Sequence, residues 1–182
     1  MNIAIVTGAG GNLGQAVCQK FLSEGYYVAG TITSQEKSDP SNKVDNYETV
    51  AIDLTDEDAT VQFIESVASN KGRIDAAVLT VGGFAMGKVE NTSTKDILKQ
   101  VKLNFETAYN TARPVFLQMM KQGKGKIFLI GSRPGLDMHN SKGMIAYGLS
   151  KSLIFRLAEL LNDEAKGKNV VTHVIAPSTI DT

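Results

Sequence analysis

Several features that mark special classes of protein are missing from this chain. Its 182 residues include a single cysteine, Cys18, which cannot form an internal disulfide, and we expect its thiol to be buried in a reducing compartment. Nineteen basic residues balance nineteen acidic ones without a basic run, which argues against nucleic acid or an anionic membrane as a partner. No apolar run reaches membrane-spanning length, and the N-terminus lacks the basic lead and cleavage site of a signal peptide. These absences predict a cytoplasmic protein.

Metal ligands are scarce as well. The sequence has two histidines, His139 and His173, and no cluster of cysteine, histidine and carboxylate side chains with metal-ligand spacing. We therefore predict no metal site. His173 falls within a predicted strand and is expected to pack in the core, whereas His139 is expected on an exposed loop.

The hydrophobic pattern alternates strands with helices along the chain. Predicted strands cover residues 2–6, 26–32, 48–52, 75–80, 126–130 and 170–175. The helices between them end near residues 24, 70, 121 and 166. We expect Thr55 to cap the second helix, and Pro114 to kink or break the third. Because strands separated by helices imply right-handed crossovers, we predict an α/β fold with a doubly wound parallel sheet in three layers.

A glycine-rich loop follows the first predicted strand and opens the first helix. Gly8 permits the turn, Gly11 lets the backbone approach a pyrophosphate, and Gly14 lets helix and strand pack closely. The free N–H groups at the start of the helix would then face an anion. A lone glycine cluster is often only a tight turn, but in this position it predicts a nucleotide-binding site.

Tyr147 and Lys151 are four residues apart in an apolar pattern with helical spacing, so both side chains lie on one helix face. A neighbouring ammonium favours a phenolate, which suits a tyrosine that gives a proton to a carbonyl oxygen or takes one from an alcohol. Taken alone, such a pair is more often a rim aromatic beside a solvated cation. Its functional weight therefore depends on the other motifs.

Together with the glycine loop and Asn104, this pair makes the chain resemble the short-chain dehydrogenase/reductase family along its whole length. The resemblance implies a Rossmann-like fold and a catalytic set of Asn104, Ser132, Tyr147 and Lys151. In that set Tyr147 is the general acid or base, Ser132 polarises the carbonyl, and Asn104 supports a water that relays protons. The cofactor site that it implies consists of Thr7, Gly8, Gly11, Asn12, Leu13, Gly14, Thr33, Ser34, Asp53, Leu54, Gly82, Tyr147, Lys151, Pro177 and Thr182.

Plain structural interpretations exist for several of these residues. Asn104 could bond backbone within its own helix, Ser132 could cap a turn, and Asp53 could cap the helix that follows it. The combination of motifs in the family's order, rather than any single residue, supports an NAD(P)(H)-dependent oxidoreductase that interconverts a carbonyl and an alcohol.

The chain also departs from the commonest family pattern. Asn12 stands where the middle glycine of the loop belongs, and the resulting glycine spacing resembles members that act on nucleotide sugars. Residues 143–148 resemble dihydropteridine-reductase-like members, and Ser132 lies two residues further from Tyr147 than is usual. A pteridine reductase, a nucleotide-sugar enzyme and a non-catalytic NAD(P)-binding sensor therefore stay open as alternatives.

The cofactor preference depends on the end of the second strand, at Ile32. An acidic residue at this tip would bind the adenosine 2′-hydroxyl and exclude a phosphate, but Thr33 and Ser34 follow instead, with Lys37 nearby. We therefore predict NADP(H) in preference to NAD(H), although Glu36 is close.

The family resemblance also bears on partners and on length. It implies a small-molecule carbonyl or alcohol substrate, with neither nucleic acid nor membrane as a partner. It implies a homodimer or homotetramer that pairs through the helices from Thr94 and from Ile145. Members of the family continue with a further strand and helix, so we expect residues 1–182 to be a single dinucleotide-binding and catalytic domain that is C-terminally incomplete.

Overall fold

A computed structural model describes residues 1–33, 45–136 and 141–178. Six parallel strands form one sheet in the order β3-β2-β1-β4-β5-β6. The strands are β1 (Ile3–Thr7), β2 (Tyr27–Ile32), β3 (Tyr47–Ala51), β4 (Ala76–Leu79), β5 (Lys124–Ile130) and β6 (Asn169–Ile175). The chain runs outward from β1 to β3 and then returns to the other side of β1. The carboxyl ends of β1 and β4 therefore border the point where the strand order reverses, which is where such sheets bind ligands.

The helices between the strands are α1 (Asn12–Ser23), α2 (Glu57–Lys71), α3 (Thr94–Val101), α4 (Thr107–Gln122), α5 (Arg133–Leu136) and α6 (Ile145–Glu164). A short 3₁₀ helix covers Val89–Asn91, and a π-helical turn, Lys102–Glu106, connects α3 to α4. None of the helices in the described part of the chain is long and apolar enough to cross a membrane.

Successive side chains of the central strand β1 point to opposite faces of the sheet, and they contribute to a separate part of the core on each face. Ile3 and Ile5 of β1 pack with α2, α4 and α6, whereas Ala4 and Val6 pack with α1 on the opposite face. The result is the three-layer, doubly wound α/β arrangement that the sequence predicts. Cys18 of α1 belongs to the second side and is buried, which confirms its expected position, and burial raises the pKa of its thiol to about 11.

The prediction that Thr55 caps α2 is wrong. The cap of α2 is Asp56, whose carboxylate accepts a hydrogen bond from the Ala59 N–H at 3.0 Å. The Thr55 N–H and hydroxyl instead both donate to Asp53 Oδ1, at 2.9 and 2.8 Å. The long helix does not break at Pro114, which lies inside α4; it is interrupted earlier, by the π-helical turn at Lys102–Glu106. A π turn inserts an extra residue, and this one contains the buried Asn104.

The prediction that His173 lies in the core is also wrong. His173 is exposed, and its ring stacks on that of Phe128 with centroids 5.2 Å apart. Within the described residues β6 is an edge strand, and its buried residues Val170 and Thr172 point to the face that α6 covers. His173 points to the other face, where α1 packs over the far strands β1 and β2.

Candidate active site

The glycine loop closes tightly between β1 and α1. Gly8 has a φ of +64°, a left-handed conformation that favours glycine, and its carbonyl accepts the Gly11 N–H at 3.0 Å. A Cβ on Gly14 would lie 2.0 Å from the Gly8 carbonyl oxygen, so only glycine lets the first turn of α1 approach the loop this closely. Gly11, at the helix cap, supplies no side-chain acceptor to the first-turn N–H groups. The start of α1, with Asn12 and Leu13, can therefore receive an anion.

A cleft of about 340 Å³ extends from this loop along the ends of β2 and β3. Four residues of the predicted cofactor site line it: Gly8, Thr33, Asp53 and Leu54. The remaining lining residues, which sequence reasoning did not assign to the site, are Thr31, Ile32, Ala51, Ile52, Thr55, Val81, Leu103 and Thr107. Of these residues, only Leu103 and Thr107 could have been placed together from the sequence, because residues four apart lie on the same face of a helix.

Asp53 has a local partner as well as a place in the cleft. Hydrogen bonds from the Thr55 N–H and hydroxyl hold the pKa of its carboxyl below the ordinary value. Asp53 does not cap α2, because Asp56 does. Its side chain is exposed and faces the cleft opening as an anion, next to the buried Leu54.

Asn104 joins the interrupted helix to the loop after β4. Its amide makes two hydrogen bonds with the backbone of Gly83: Nδ2 donates to the carbonyl at 3.0 Å, and Oδ1 accepts the N–H at 2.8 Å. Asn104 is 1% exposed, and its backbone partner lies 21 residues earlier rather than in its own helix. A Cβ on Gly82 would lie 2.7 Å from Asn104 Oδ1 and 3.2 Å from Lys151 Nζ. Gly82 therefore marks the point where Asn104 and Lys151 meet.

Two buried polar residues that the sequence did not indicate support Asn104. Gln100 Oε1 and Ser150 Oγ lie 2.9 and 3.0 Å from Asn104 Nδ2, whose two hydrogens are shared among these two acceptors and the Gly83 carbonyl. Ser150 Oγ in turn donates to the Tyr147 carbonyl at 2.8 Å, which connects Asn104 to the helix that carries Tyr147. The spacing of four between Gln100 and Asn104 could have suggested the first contact, but the second joins residues 46 apart.

Lys151 is a buried cation, 5% exposed, on α6. Its Nζ donates to the Ile130 carbonyl at 2.8 Å, and burial lowers the pKa of its ammonium to about 8. Across the described ranges Lys151 makes no ion pair, whereas Lys20, Lys88 and Lys166 each pair with a carboxylate. A buried ammonium with a single carbonyl partner is costly, and such groups concentrate at functional sites.

Ser132 follows β5 and is 4% exposed. Among the residues that the structure describes, its Oγ is one of two buried side-chain atoms without a hydrogen-bond partner, the other being Thr172 Oγ1. The Ser132 carbonyl accepts the Gly135 N–H, but the hydroxyl itself caps nothing there. A buried hydroxyl left unpaired costs about 1–3 kcal/mol, so a bound group that completes its hydrogen bond would be favoured.

The other predicted site residues lie as follows. Thr7 is buried at the end of β1, and its carbonyl accepts the Thr80 hydroxyl at 2.6 Å. Tyr147 is half-buried on α6, one turn before Lys151, and Pro177 is half-buried just after β6. Ser34, His139 and Thr182 lie outside the described residues, as does Lys37.

The fold and the site together define a Rossmann-type α/β protein with a dinucleotide-binding architecture. The model of the short chain dehydrogenase family matches residues 2–182, and the chain belongs to that family. It is therefore an oxidoreductase that acts on CH–OH or C=O groups.

Individual relatives agree with this assignment. The chain is 26% identical over 182 residues to acetoacetyl-CoA reductase of Acinetobacter sp. (strain RA3849), covering 96% of this chain and 73% of the relative. It is 28% identical over 191 residues to NADPH-dependent 3-dehydrocapnine reductase of Ornithobacterium rhinotracheale, covering 100% of this chain and 66% of the relative. The crystal structure of a short-chain dehydrogenase from Streptomyces avermitilis superposes with a TM-score of 0.91 at 25% identity, covering 100% of this chain and 66% of that one.

Proposed function

We propose that this protein interconverts a carbonyl and an alcohol with NAD(P)(H), using Tyr147 as the general acid or base. The observation that carries the proposal is the buried Lys151 ammonium, which lies beside Gly82 and Asn104 on the helix that also carries Tyr147. Lys151 has no carboxylate partner in the described chain, so its charge is available to a ligand hydroxyl or to a developing phenolate.

The cofactor would supply the hydride, and the chain's own groups would hold it. The loop from Thr7 to Gly14, including Gly8, Gly11, Asn12 and Leu13, would bind the pyrophosphate with backbone N–H groups. The 340 Å³ cleft suits the adenosine, with Asp53 and Leu54 at the adenine and Thr33 near the ribose. Gly82, Tyr147, Lys151 and Pro177 would form the nicotinamide end, completed by Thr182. The open cleft and the close approach permitted by Gly82 both fit such a group.

We propose NADP(H) as the preferred cofactor. Thr33, at the tip of β2, lines the cleft, and the described part of that tip carries no carboxylate to repel a 2′-phosphate. The relative from Ornithobacterium, whose name specifies NADPH dependence, supports this choice.

The catalytic groups would divide the work as follows. Tyr147 would donate a proton to the carbonyl oxygen during reduction, and the unpaired Ser132 hydroxyl would hydrogen-bond that oxygen. Asn104 would support a proton-relay water while it fixes the loop at Gly83.

We infer a small-molecule substrate and a homodimer or homotetramer, and the exposed Leu117 of α4 and Leu149 of α6 support pairing through these helices. The cytoplasmic location and the single-domain organisation stay predictions.

A titration and one substitution test the proposal. NADPH and NADH are titrated while the fluorescence of the reduced nicotinamide is followed, and we expect tighter binding of NADPH. Tyr147→Phe should keep the NADPH affinity within about threefold and reduce turnover of carbonyl substrates by about 10²–10⁴-fold. Tyr109→Phe, which removes a hydroxyl from the exposed side of α4, is the matched control and should retain activity. Unchanged turnover in Tyr147→Phe would contradict the mechanism, and failure to bind either cofactor would contradict the function.

A further inference from the structure

An exposed aromatic side chain lies directly against the proposed catalytic tyrosine. The ring of Phe84 packs edge-to-face on the ring of Tyr147, with centroids 4.9 Å apart and an interplanar angle of 76°. Phe84 is nevertheless 60% exposed, and Met86, two residues later, is 71% exposed. Exposed apolar side chains that adjoin one another mark surfaces that bind a ligand or a partner. The contact with Tyr147 makes the substrate the natural candidate.

Backbone hydrogen bonds hold the segment of Phe84 and Met86 at both ends. At its start, Gly83 is paired with the side chain of Asn104. At its end, the Gly87 N–H donates to the Gly143 carbonyl at 2.7 Å, and the Gly87 carbonyl accepts the Ile145 N–H at 3.1 Å. These two bonds form a short parallel bridge with the residues that begin α6. The position of Phe84 relative to Tyr147 is therefore built into the fold.

The chemical character of the segment is uniformly apolar. Residues 83–87 read Gly-Phe-Ala-Met-Gly and carry no charge and no side-chain hydrogen-bonding group. The nearest charge along the chain, Lys88, is itself paired with Glu90 at 3.9 Å. The segment therefore cannot bind a phosphate or a carboxylate with its side chains, but it offers an aromatic face and a flexible thioether to an apolar group.

We propose that Phe84 and Met86 form an apolar wall of the substrate site and select carbonyl substrates that bear an aromatic or other planar apolar group next to the reacting carbonyl. This proposal rests on the function proposed above. It adds that Phe84 determines specificity: it contacts the group beside the carbonyl while Tyr147 serves the carbonyl oxygen.

Two matched diketones test the proposal. The compounds 1-phenyl-1,2-propanedione and 2,3-butanedione differ by a phenyl in place of a methyl group beside the same dicarbonyl. With NADPH, the wild-type protein should show a kcat/KM at least about 10-fold higher for the phenyl compound. Phe84→Ala should bring that ratio close to one, mainly through a higher KM for the phenyl compound. Val89→Ala removes a more exposed apolar side chain of the same region, at 77% exposure, and should keep the wild-type ratio.

The outcomes separate the two proposals. Equal kcat/KM values for both diketones in the wild-type protein, or a Phe84→Ala variant that loses kcat equally for both, would overturn the specificity proposal while leaving the proposed function in place. Binding gives a readout that does not depend on turnover: saturation-transfer NMR should show transfer to the phenyl protons in the wild-type protein and a loss of it in Phe84→Ala. Saturation transfer to the phenyl protons without NADPH-dependent reduction of either diketone would support the apolar wall but contradict the proposed function. Absence of saturation transfer would overturn the apolar wall. Phe84→Leu, which keeps an apolar side chain, is the second variant if Phe84→Ala folds poorly.

Discussion

Replacing Gly14 with alanine should destabilise this protein, although alanine is the better helix former. Gly14 is the third residue of α1, and in an unhindered helix interior the change from glycine to alanine gains about 1 kcal/mol. Here the new Cβ would lie 2.0 Å from the Gly8 carbonyl oxygen, 2.7 Å from the Gly8 carbonyl carbon and 3.0 Å from the Ala9 Cα. All three atoms belong to backbone, so no side chain can rotate away to make room.

The distances indicate the size of the effect. Because a Cβ atom essentially never lies within 3.0 Å of a heavy atom outside its own residue and the two adjacent residues, α1 and the glycine loop must separate by about 1 Å. Overpacking of a well-packed site costs about 1–3 kcal/mol, and displacement of backbone places this change at the upper end of that range. After the gain in helix propensity we expect a net loss of about 2 kcal/mol in the free energy of unfolding. With a typical urea m-value, this loss lowers the denaturation midpoint by about 1 M.

Gly11 provides the matched control in the same loop. A Cβ on Gly11 would meet only the Gly8 carbonyl oxygen, at an ordinary 3.5 Å, so Gly11→Ala should change the free energy of unfolding by less than about 0.5 kcal/mol. Its methyl group would instead point to where the pyrophosphate is proposed to bind, and NADPH affinity should fall. Urea denaturation and NADPH titration of both variants separate the two effects. A Gly14→Ala protein as stable as the wild type would refute the packing argument.

Two further predictions concern the interior of the site. Since burial lowers the pKa of Lys151 from 10.5 to about 8, the unfolded chain binds more protons than the folded one between these values, and stability should rise with pH across this window. Relative to Lys151→Met, the cofactor-free wild-type protein should gain roughly 3 kcal/mol at most between pH 8 and 10.5, and parallel pH–stability curves from urea denaturation would contradict this. Gln100→Met removes an acceptor of Asn104 Nδ2 and should lower kcat about 3- to 10-fold with little change in KM. Gln100→Glu keeps an acceptor oxygen, and its kcat should return toward the wild-type value at pH values above the pKa of the new carboxyl. Equal pH–rate profiles for both Gln100 variants would show that Gln100 does not position Asn104.

The main features of the fold could be predicted because they depend on local signals. Each predicted strand lies within two residues of an observed one, since buried β-branched runs and the glycines between them are readable over a few residues. The order of strands and helices then implied a parallel, doubly wound sheet without knowledge of any long-range contact.

The errors occur where a local preference met a competing contact. Thr55 is a good capping residue, but its N–H and hydroxyl turn toward Asp53, and the residue that caps α2 is Asp56. Pro114 is a helix breaker, yet the packing of α4 against α2 and β5 carries the helix through it. His173 lies in a strand with a buried pattern, but its side chain points to a part of the sheet face that α1, which packs over β1 and β2, does not cover.

By itself, the sequence determined the fold class and the glycine loop, because periodicity and spacing are properties of neighbouring residues. Its resemblance to the family then indicated Asn104, Ser132, Tyr147 and Lys151 as the proposed catalytic set. Only the tertiary structure decided which of these groups meet. Asn104 bonds Gly83, Gln100 and Ser150, Lys151 is buried beside Gly82, and Phe84 packs on Tyr147. Apart from the Asn104–Gln100 contact, which joins residues four apart, these contacts join residues 21 to 69 positions apart. They depend on how helices pack on a sheet, and packing is a property of the whole core rather than of any segment.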